Sequence, residues 1–159
     1  MMRNFLKAGL LAGAAVGLAA SADAAIVVHT TQASFNAAST GVQTDTFNDL
    51  AETLYTSPLA RSAGTINYRV SAANGLFPGS VSGNRFMSVN TATDPMTFSN
   101  FSTPISAIGG RFFSSNISGA FTPSQQITVS VTDNLGTTVE VILNPTTASF
   151  RGFTTTGTF

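Results

Sequence analysis

Short segments that alternate apolar and polar residues recur along most of this 159-residue chain, and turn-forming residues separate them. The clearest segment is 127–132, where every second residue is Ile or Val and the residues between are Thr or Ser. A period of two places successive side chains on opposite faces of a β-strand. Asp-Asn-Leu-Gly at 133–136 then favours a tight turn. The sequence therefore predicts a β-hairpin here.

The second strand of this hairpin continues the alternation over 137–143. Val139, Val141 and Leu143 fall at every second position, so they lie on one face of the strand. We expect that face to be the inner, buried one.

Together with the hairpin, other segments of the same kind bring the predicted total to about eight short strands. They are rich in β-branched and aromatic residues and are bounded by Gly, Pro and Asn. One segment breaks the pattern and predicts a short helix over 33–38. Thr31 would cap its first turn, and Phe35 and Ala38 would lie on its buried side. The remaining predicted strands cover 26–31, 44–50, 65–70, 84–90, 95–101, 105–113 and 148–153. This order predicts an all-β, antiparallel β-sandwich, jelly-roll-like, with one short N-terminal helix after the first strand.

Cysteine is absent from the whole chain. Disulfides, thiol catalysis and thiolate-ligated metals are therefore excluded. The fold must be held by burial of a core and by sheet hydrogen bonding, which favours one β domain over 25–159.

The first 24 residues have the features of a secretory signal peptide. Arg3 and Lys7 make a basic start, 6–20 is apolar, and Ala22-Asp23-Ala24 supplies small residues before a cleavage bond between Ala24 and Ala25. The apolar run is shorter than the roughly 20 residues that span a bilayer. We expect secretion to the periplasm, cell surface or medium, without stable membrane insertion.

The charges after residue 24 exclude two classes of partner. Five arginines, six acidic residues and no lysine remain there, so the net charge is −1. Nucleic acid and anionic membranes both require a cluster of basic side chains. We therefore predict neither as a partner.

Asp45, Asn48 and Asp49 form the strongest candidate for a metal site. Ca²⁺ prefers oxygen ligands from carboxylates, amides and backbone carbonyls, and these three residues supply such oxygens close together. The favoured interpretation of these residues is nevertheless a solvated acidic turn after a short strand, with calcium binding as the alternative. No other cofactor is predicted.

The sequence contains no recognisable catalytic set. His29 is the only histidine, and no Gly-x-Ser-x-Gly elbow provides a nucleophile for a triad. Carboxylates that would serve a glycoside hydrolase are mostly predicted in turns or on exposed faces; they are Asp45, Asp49, Glu52, Asp94, Asp133 and Glu140. We predict no enzymatic activity.

Aromatic residues are predicted to serve the core more than a sugar platform. The chain has no Trp and two Tyr, and its 13 Phe fall mainly at strand positions. Arg85, Arg111 and Arg151 recur beside Phe, so we expect them to lie over rings or to pair with acids.

The segments Gly-Asn-Arg-Phe-Met-Ser-Val-Asn (83–90), Ala-Ile-Gly-Gly-Arg-Phe-Phe (107–113) and Ser-Phe-Arg-Gly-Phe (149–153) occur in a characteristic order. With 30–35 and 45–50, this order resembles the passenger domain of bacterial PEP-CTERM-type secreted proteins. The resemblance implies the envelope or extracellular polysaccharide matrix as context, and polysaccharide as a partner. The family usually continues through further strands to a Pro-Glu-Pro motif, an apolar helix and a basic tail. These are not present before Phe159, which suggests a sequence truncated at its C-terminus and argues against anchoring by that route.

Three functional hypotheses follow. The first is a secreted, non-enzymatic β-sandwich protein of the bacterial envelope or extracellular matrix. The second is a carbohydrate-binding module, with Ca²⁺ bound at Asp45 and Asp49. The third is an incomplete gene product whose exposed edge strand promotes association. The residues do not indicate a ligand or an oligomeric state.

Overall fold

The computed structural model describes residues 26–124 and 126–159. The predicted signal peptide and its cleavage bond between Ala24 and Ala25 lie outside these residues. The described part forms ten strands and one helix: β1 (Val27–His29), α1 (Gln32–Ala38), β2 (Leu59–Ala63), β3 (Ile66–Ser71), β4 (Gly79–Val81), β5 (Asn84–Phe86), β6 (Thr97–Ser99), β7 (Ala107–Arg111), β8 (Gln126–Thr132), β9 (Thr137–Leu143) and β10 (Phe150–Thr154).

The chain is mostly β, and its strands pair in antiparallel fashion. Strands account for 39% of the residues and the single helix for 5%, which confirms the predicted class and the helix after the first strand. Among the described residues the strands form four small sheets, in the orders β1–β10–β7, β2–β3–β6, β4–β5 and β8–β9, and none of them closes. No helix in the described ranges is long and apolar enough to span a bilayer.

Helix α1 begins and ends where its local sequence allows. The Thr31 hydroxyl accepts a hydrogen bond from the Ser34 N–H at 3.1 Å, which caps the first turn as predicted. Phe35 is buried, whereas Ala38 is exposed, so only one of the two predicted inward positions is correct. Phe35 packs on β10, because a Cβ added at Gly152 would lie 2.3 Å from its ring. Gly152 thus allows the helix to lie close to the sheet.

The main core lies on the inner face of the β2–β3–β6 sheet. Tyr68 and Val70 of β3 point into it, and Val70 is completely buried. They form one cluster with apolar side chains from the connecting segments: Leu50, Ala72, Leu76 and Met87. Much of this core therefore depends on loops docked against one sheet.

The β8–β9 hairpin forms at the predicted position, but the covered face of β9 is opposite to the predicted one. Ile127 pairs with Ile142, and Ile142 is buried. Val139, Val141 and Leu143 are 59%, 43% and 67% exposed, so their predicted inner placement is wrong. Alternation fixes which residues share a face but not which face is covered. Here Glu140 lies on the covered face, where Arg151 of β10 pairs with it.

The segment predicted as a strand over 44–50 is irregular. The Asp45 carboxylate accepts a hydrogen bond from the Phe47 N–H at 2.9 Å, and Phe47 has a φ of 57°. This side chain to backbone bond competes with the extended conformation. Conversely, β2 forms within a stretch that has the composition of a loop, because its backbone pairs with β3 and its Arg61 side chain bonds to Asp45 of the irregular segment.

Candidate functional site

Arg61 of β2 joins the two carboxylates that the sequence predicts as metal ligands. Its Nε and Nη2 donate to Asp45 at 2.9 and 2.7 Å, and its Nη1 and Nη2 donate to Asp49 at 2.8 and 2.7 Å. A guanidinium matches carboxylates in this forked geometry. Tyr68 of β3 also donates to Asp45, at 2.7 Å. We call these four residues the Arg61 cluster.

The Arg61 cluster is buried on one side and open on the other. The side chains of Arg61 and Asp45 are 9% and 7% exposed, whereas that of Asp49 is 67% exposed. The guanidinium carbon of Arg61 also lies 5.4 Å from the centre of the Phe47 ring. These contacts fasten the irregular segment 45–50 to the β2–β3 sheet.

The contacts of the Arg61 cluster favour its ionised carboxylates. Burial of Asp45 opposes ionisation, but hydrogen bonds from Arg61, Tyr68 and the Phe47 backbone outweigh it, so the pKa of Asp45 lies below its ordinary value. Hydrogen bonds from Arg61 likewise lower the pKa of Asp49. Hydrogen bonds to Asp49 and Asp45 raise the pKa of Arg61, and burial with the bond to Asp45 raises that of Tyr68.

The structure brings Asp45, Asn48 and Asp49 to one place, but each is engaged by the protein. The Asn48 side-chain oxygen accepts a hydrogen bond from the Arg85 N–H at 3.0 Å. The two carboxylates receive their positive charge from Arg61. Within the described ranges, no group of three or more His, Asp or Glu residues has an arrangement suited to a metal ion. Calcium binding at these residues remains a prediction, and it would require Arg61 to turn away.

The other carboxylates also have contacts within the fold. Glu52 pairs with Arg85, and Glu140 with Arg151 at 2.8 Å. Asp94 accepts from the Asn74 N–H at 2.9 Å. These pairs agree with the expectation that Arg85 and Arg151 meet acidic side chains.

Asp133, in the hairpin turn, is 8% exposed. Its carboxylate accepts hydrogen bonds from the Thr155 hydroxyl and from the N–H groups of Leu135 and Gly136. These bonds hold the pKa of Asp133 below its ordinary value, and the bond from Thr155 contributes most. Thr158 and Asn134 exchange two further bonds beside it, at 3.0 and 2.7 Å. Asp133 therefore ties the turn to the segment after β10.

His29 lies in β1, and within the described ranges no acidic side chain forms a hydrogen bond or ion pair with its ring. Its Nε2 is 2.9 Å from the Thr154 hydroxyl, and its ring meets the edge of Phe35. A triad needs a nucleophile and an orienting carboxylate around the imidazole. The observed neighbours suit a packed strand position.

An open cleft of about 660 Å³ lies beside the Arg61 cluster. Most of the side chains that line it are polar: Thr44, Asp45, Thr46, Asp49, Ala60, Arg61, Ser62, Asn67, Tyr68, Arg69 and Asn100. It includes part of the outward-facing surface of β2–β3–β6, which carries Ser62 opposite Asn67 and Ala60 opposite Arg69. We call this surface the polar sheet face. Neither the cleft nor the role of Arg61 is predicted from the sequence, although the alternation over 66–70 indicates one solvated face.

No protein-family model matches the chain, and neither a curated protein nor a solved structure is significantly similar to it. The resemblance to PEP-CTERM-type passenger domains therefore remains a prediction.

Proposed function

We propose that the chain is a secreted, non-enzymatic β protein of the bacterial envelope or extracellular matrix. One observation carries the proposal: each acidic side chain in the described ranges is held by an arginine, an amide or a hydroxyl of the fold. Asp45 and Asp49 share Arg61, and the other four acids have partners of their own. Acidic side chains used in this way stabilise loops and turns.

Hydrolysis of a glycosidic bond needs a different arrangement. One carboxyl group must stay protonated near neutral pH, and its pKa is raised for that purpose. Here the carboxyl groups whose pKa departs from the ordinary value all shift downward: Asp45, Asp49, Glu52 and Asp133. Such groups are ionised at neutral pH and are poor general acids.

The envelope location is supported by the sequence. The segment 1–24 has the order of basic, apolar and small residues that a signal peptidase recognises. The motif order that resembles PEP-CTERM-type passenger domains points to the same compartment. Fractionation of bacteria expressing the full chain tests this. Mature protein beginning at Ala25 in the periplasm, envelope or medium supports the proposal, whereas uncleaved cytoplasmic protein contradicts it.

Activity is tested by incubating the purified protein with a panel of polysaccharides and measuring new reducing ends. We expect no turnover above that of a heat-unfolded sample. Turnover that a Glu140→Gln or Asp49→Asn substitution abolishes would show a hydrolase and refute the non-enzymatic assignment.

We also infer a sandwich arrangement of the sheets, a finer statement than the antiparallel class. The half-buried face of the β8–β9 hairpin carries Glu140, which pairs with Arg151 of β10, and Ile142, which is buried. These contacts support two layers that share a core. A crystal structure with the hairpin and the β1–β10–β7 sheet in a single layer would overturn this.

Carbohydrate binding is the second candidate function, and the cleft favours it. Its exposed hydroxyl, amide and guanidinium groups offer both donors and acceptors, as a polyhydroxylated ligand requires. The cleft has no exposed aromatic platform, because Tyr68 is 7% exposed and packs against Phe98 and Phe101. We therefore expect modest affinity that depends on hydrogen bonds. Retention on a glycan array, reduced by Asn67→Ala but not by Thr128→Ala in β8, which does not line the cleft, supports this function. Failure to retain any glycan rules it out.

A further inference from the structure

Arg69 occupies the centre of the polar sheet face. It lies on the middle strand β3, between Ala60 of β2 and Ser99 of β6 in the register of the sheet. Residues directly opposite one another in antiparallel strands project from the same face. Both flanking side chains are small, so neither covers the arginine. Arg69 is exposed and lines the cleft.

The bonding of Arg69 differs from that of most arginines in the described ranges. Arg61, Arg85 and Arg151 each pair with an acidic side chain. Arg69 forms no ion pair there, and no side-chain hydrogen bond of the described part involves it. In the strands β2, β3 and β6 the only other charged side chain is Arg61, which points to the opposite face. The polar sheet face thus presents a single guanidinium among neutral groups.

Three neutral side chains beside Arg69 are available to the same ligand. Ser62 and Asn67 face each other across β2 and β3, and Asn100 follows β6 at the border of the cleft. All three are exposed, and none makes a side-chain hydrogen bond in the described ranges. Together they provide hydroxyl and amide groups around one fixed positive charge.

We propose that Arg69 binds the carboxylate of an acidic glycan whose hydroxyl groups contact Ser62, Asn67 and Asn100. This inference rests on the carbohydrate-binding function and names its ligand class. A guanidinium donates two parallel hydrogen bonds to a carboxylate, which are stronger than bonds between neutral groups. A neutral sugar would leave that capacity unused.

The charges nearby favour a sparsely charged glycan over a dense polyanion. Asp45 and Asp49 together carry two negative charges against the one positive charge of Arg61, and Asp49 is 67% exposed. A polyphosphate or nucleic acid needs several cations in a row, which this cleft does not offer. One carboxylate in every second sugar matches a single arginine better.

Hyaluronan provides such a ligand, and its methyl ester provides the same backbone with the carboxylates neutralised. We would measure binding of both polymers to the full-length protein by affinity electrophoresis. Wild-type protein is expected to bind hyaluronan about tenfold more tightly than the ester, the size of one charge-assisted pair. Arg69→Gln should remove this preference, Arg69→Lys should keep part of it, and it should weaken as salt is added.

The matched control is Arg111→Gln. Arg111 is also exposed and forms no ion pair in the described ranges, but it lies in β7 and does not line the cleft. The Arg111→Gln variant should keep the preference for hyaluronan.

A second control is competition by sodium acetate at the same concentration of carboxylate as the polymer. Acetate should compete poorly, because it lacks the sugar hydroxyls.

The outcomes separate this inference from the function on which it rests. Equal binding of both polymers, or an unchanged preference in Arg69→Gln, refutes the role of Arg69 and leaves carbohydrate binding intact. Full competition by acetate would show a simple anion site in place of a glycan site. Absence of binding to hyaluronan, while other glycans are retained, refutes the acidic ligand class. Absence of binding to every glycan refutes both proposals.

Discussion

Asp45 and Arg61 lie on different segments of the chain, yet two parallel hydrogen bonds join them, at 2.9 Å from Nε and 2.7 Å from Nη2. The bond pair fixes the irregular segment 45–50 against β2. Leu50, at the end of that segment, enters the main core. An ion pair therefore positions one of the core residues.

Replacement of Arg61 should be costly for stability. We expect Arg61→Ala to lower the free energy of unfolding by about 3 kcal/mol, because it leaves the buried carboxylate of Asp45 without its cation. Arg61→Lys should recover only part of this, since an ammonium group cannot make two parallel bonds. Urea denaturation followed by circular dichroism measures the effect. Arg69→Ala is the control, with an expected change within about 0.5 kcal/mol; a similar loss in both variants would contradict the structural role of the Arg61 cluster.

Acid should destabilise the fold through the same carboxylates. The pKa of Asp45 is lowered in the folded state, so the unfolded state binds protons more readily. The stabilisation is complete above the ordinary value of 3.8 and is lost as the pH falls below it, through the folded pKa. We expect the melting temperature to be nearly constant from pH 7 to about 5 and to drop steeply below about 4. Asp45→Asn should start from a lower melting temperature and show a shallower acid decline; an unchanged slope in this variant would count against the assignment.

The contact between Gly152 and Phe35 should make an added methyl group costly. A Cβ at Gly152 would meet the Phe35 ring at 2.3 Å, whereas one at Gly110 in the neighbouring strand β7 meets nothing nearer than 4.0 Å. We expect Gly152→Ala to cost about 1–3 kcal/mol from overpacking. Gly110→Ala should be far better tolerated. Thermal unfolding of the two variants tests this, and equal melting temperatures would show that α1 does not pack on β10 in solution.

Calcium should have little effect on the wild-type protein. Arg61 already supplies positive charge to Asp45 and Asp49, and Asn48 bonds to the Arg85 backbone. We expect the melting temperature to be the same with millimolar Ca²⁺ and with EDTA. A clear rise with Ca²⁺ that Asp49→Asn removes would instead establish the metal site that the sequence predicts.

The elements that could be predicted from sequence are those encoded by short-range patterns. Thr31 and Phe35 mark helix α1, and the alternation on both sides of Asp133 marks the β8–β9 hairpin. Each depends on residues a few positions apart, for which capping and turn chemistry are sufficient. The covered face of β9 could not be predicted in this way. It depends on Arg151, a residue of another strand, which draws Glu140 inward.

The candidate site was predicted only in part for a similar reason. The sequence predicts Asp45 and Asp49 as a pair because they lie close together along the chain, and the structure does place them together. Their partner Arg61 is 16 and 12 residues away, in a stretch with the composition of a loop. The role of Arg69 depends on its neighbours across two strand pairs. Neither relationship leaves a periodic signal in the chain.

The separation of the strands into small sheets has a consequence for how the molecule opens. The β8–β9 hairpin shares no backbone ladder with another sheet in the described ranges, and its attachments are the Glu140–Arg151 pair, the burial of Ile142 and the bonds around Asp133. We therefore expect it to open as one intact unit. In a hydrogen-exchange experiment its amides would then exchange as their own cooperative group, ahead of those in the β2–β3–β6 sheet.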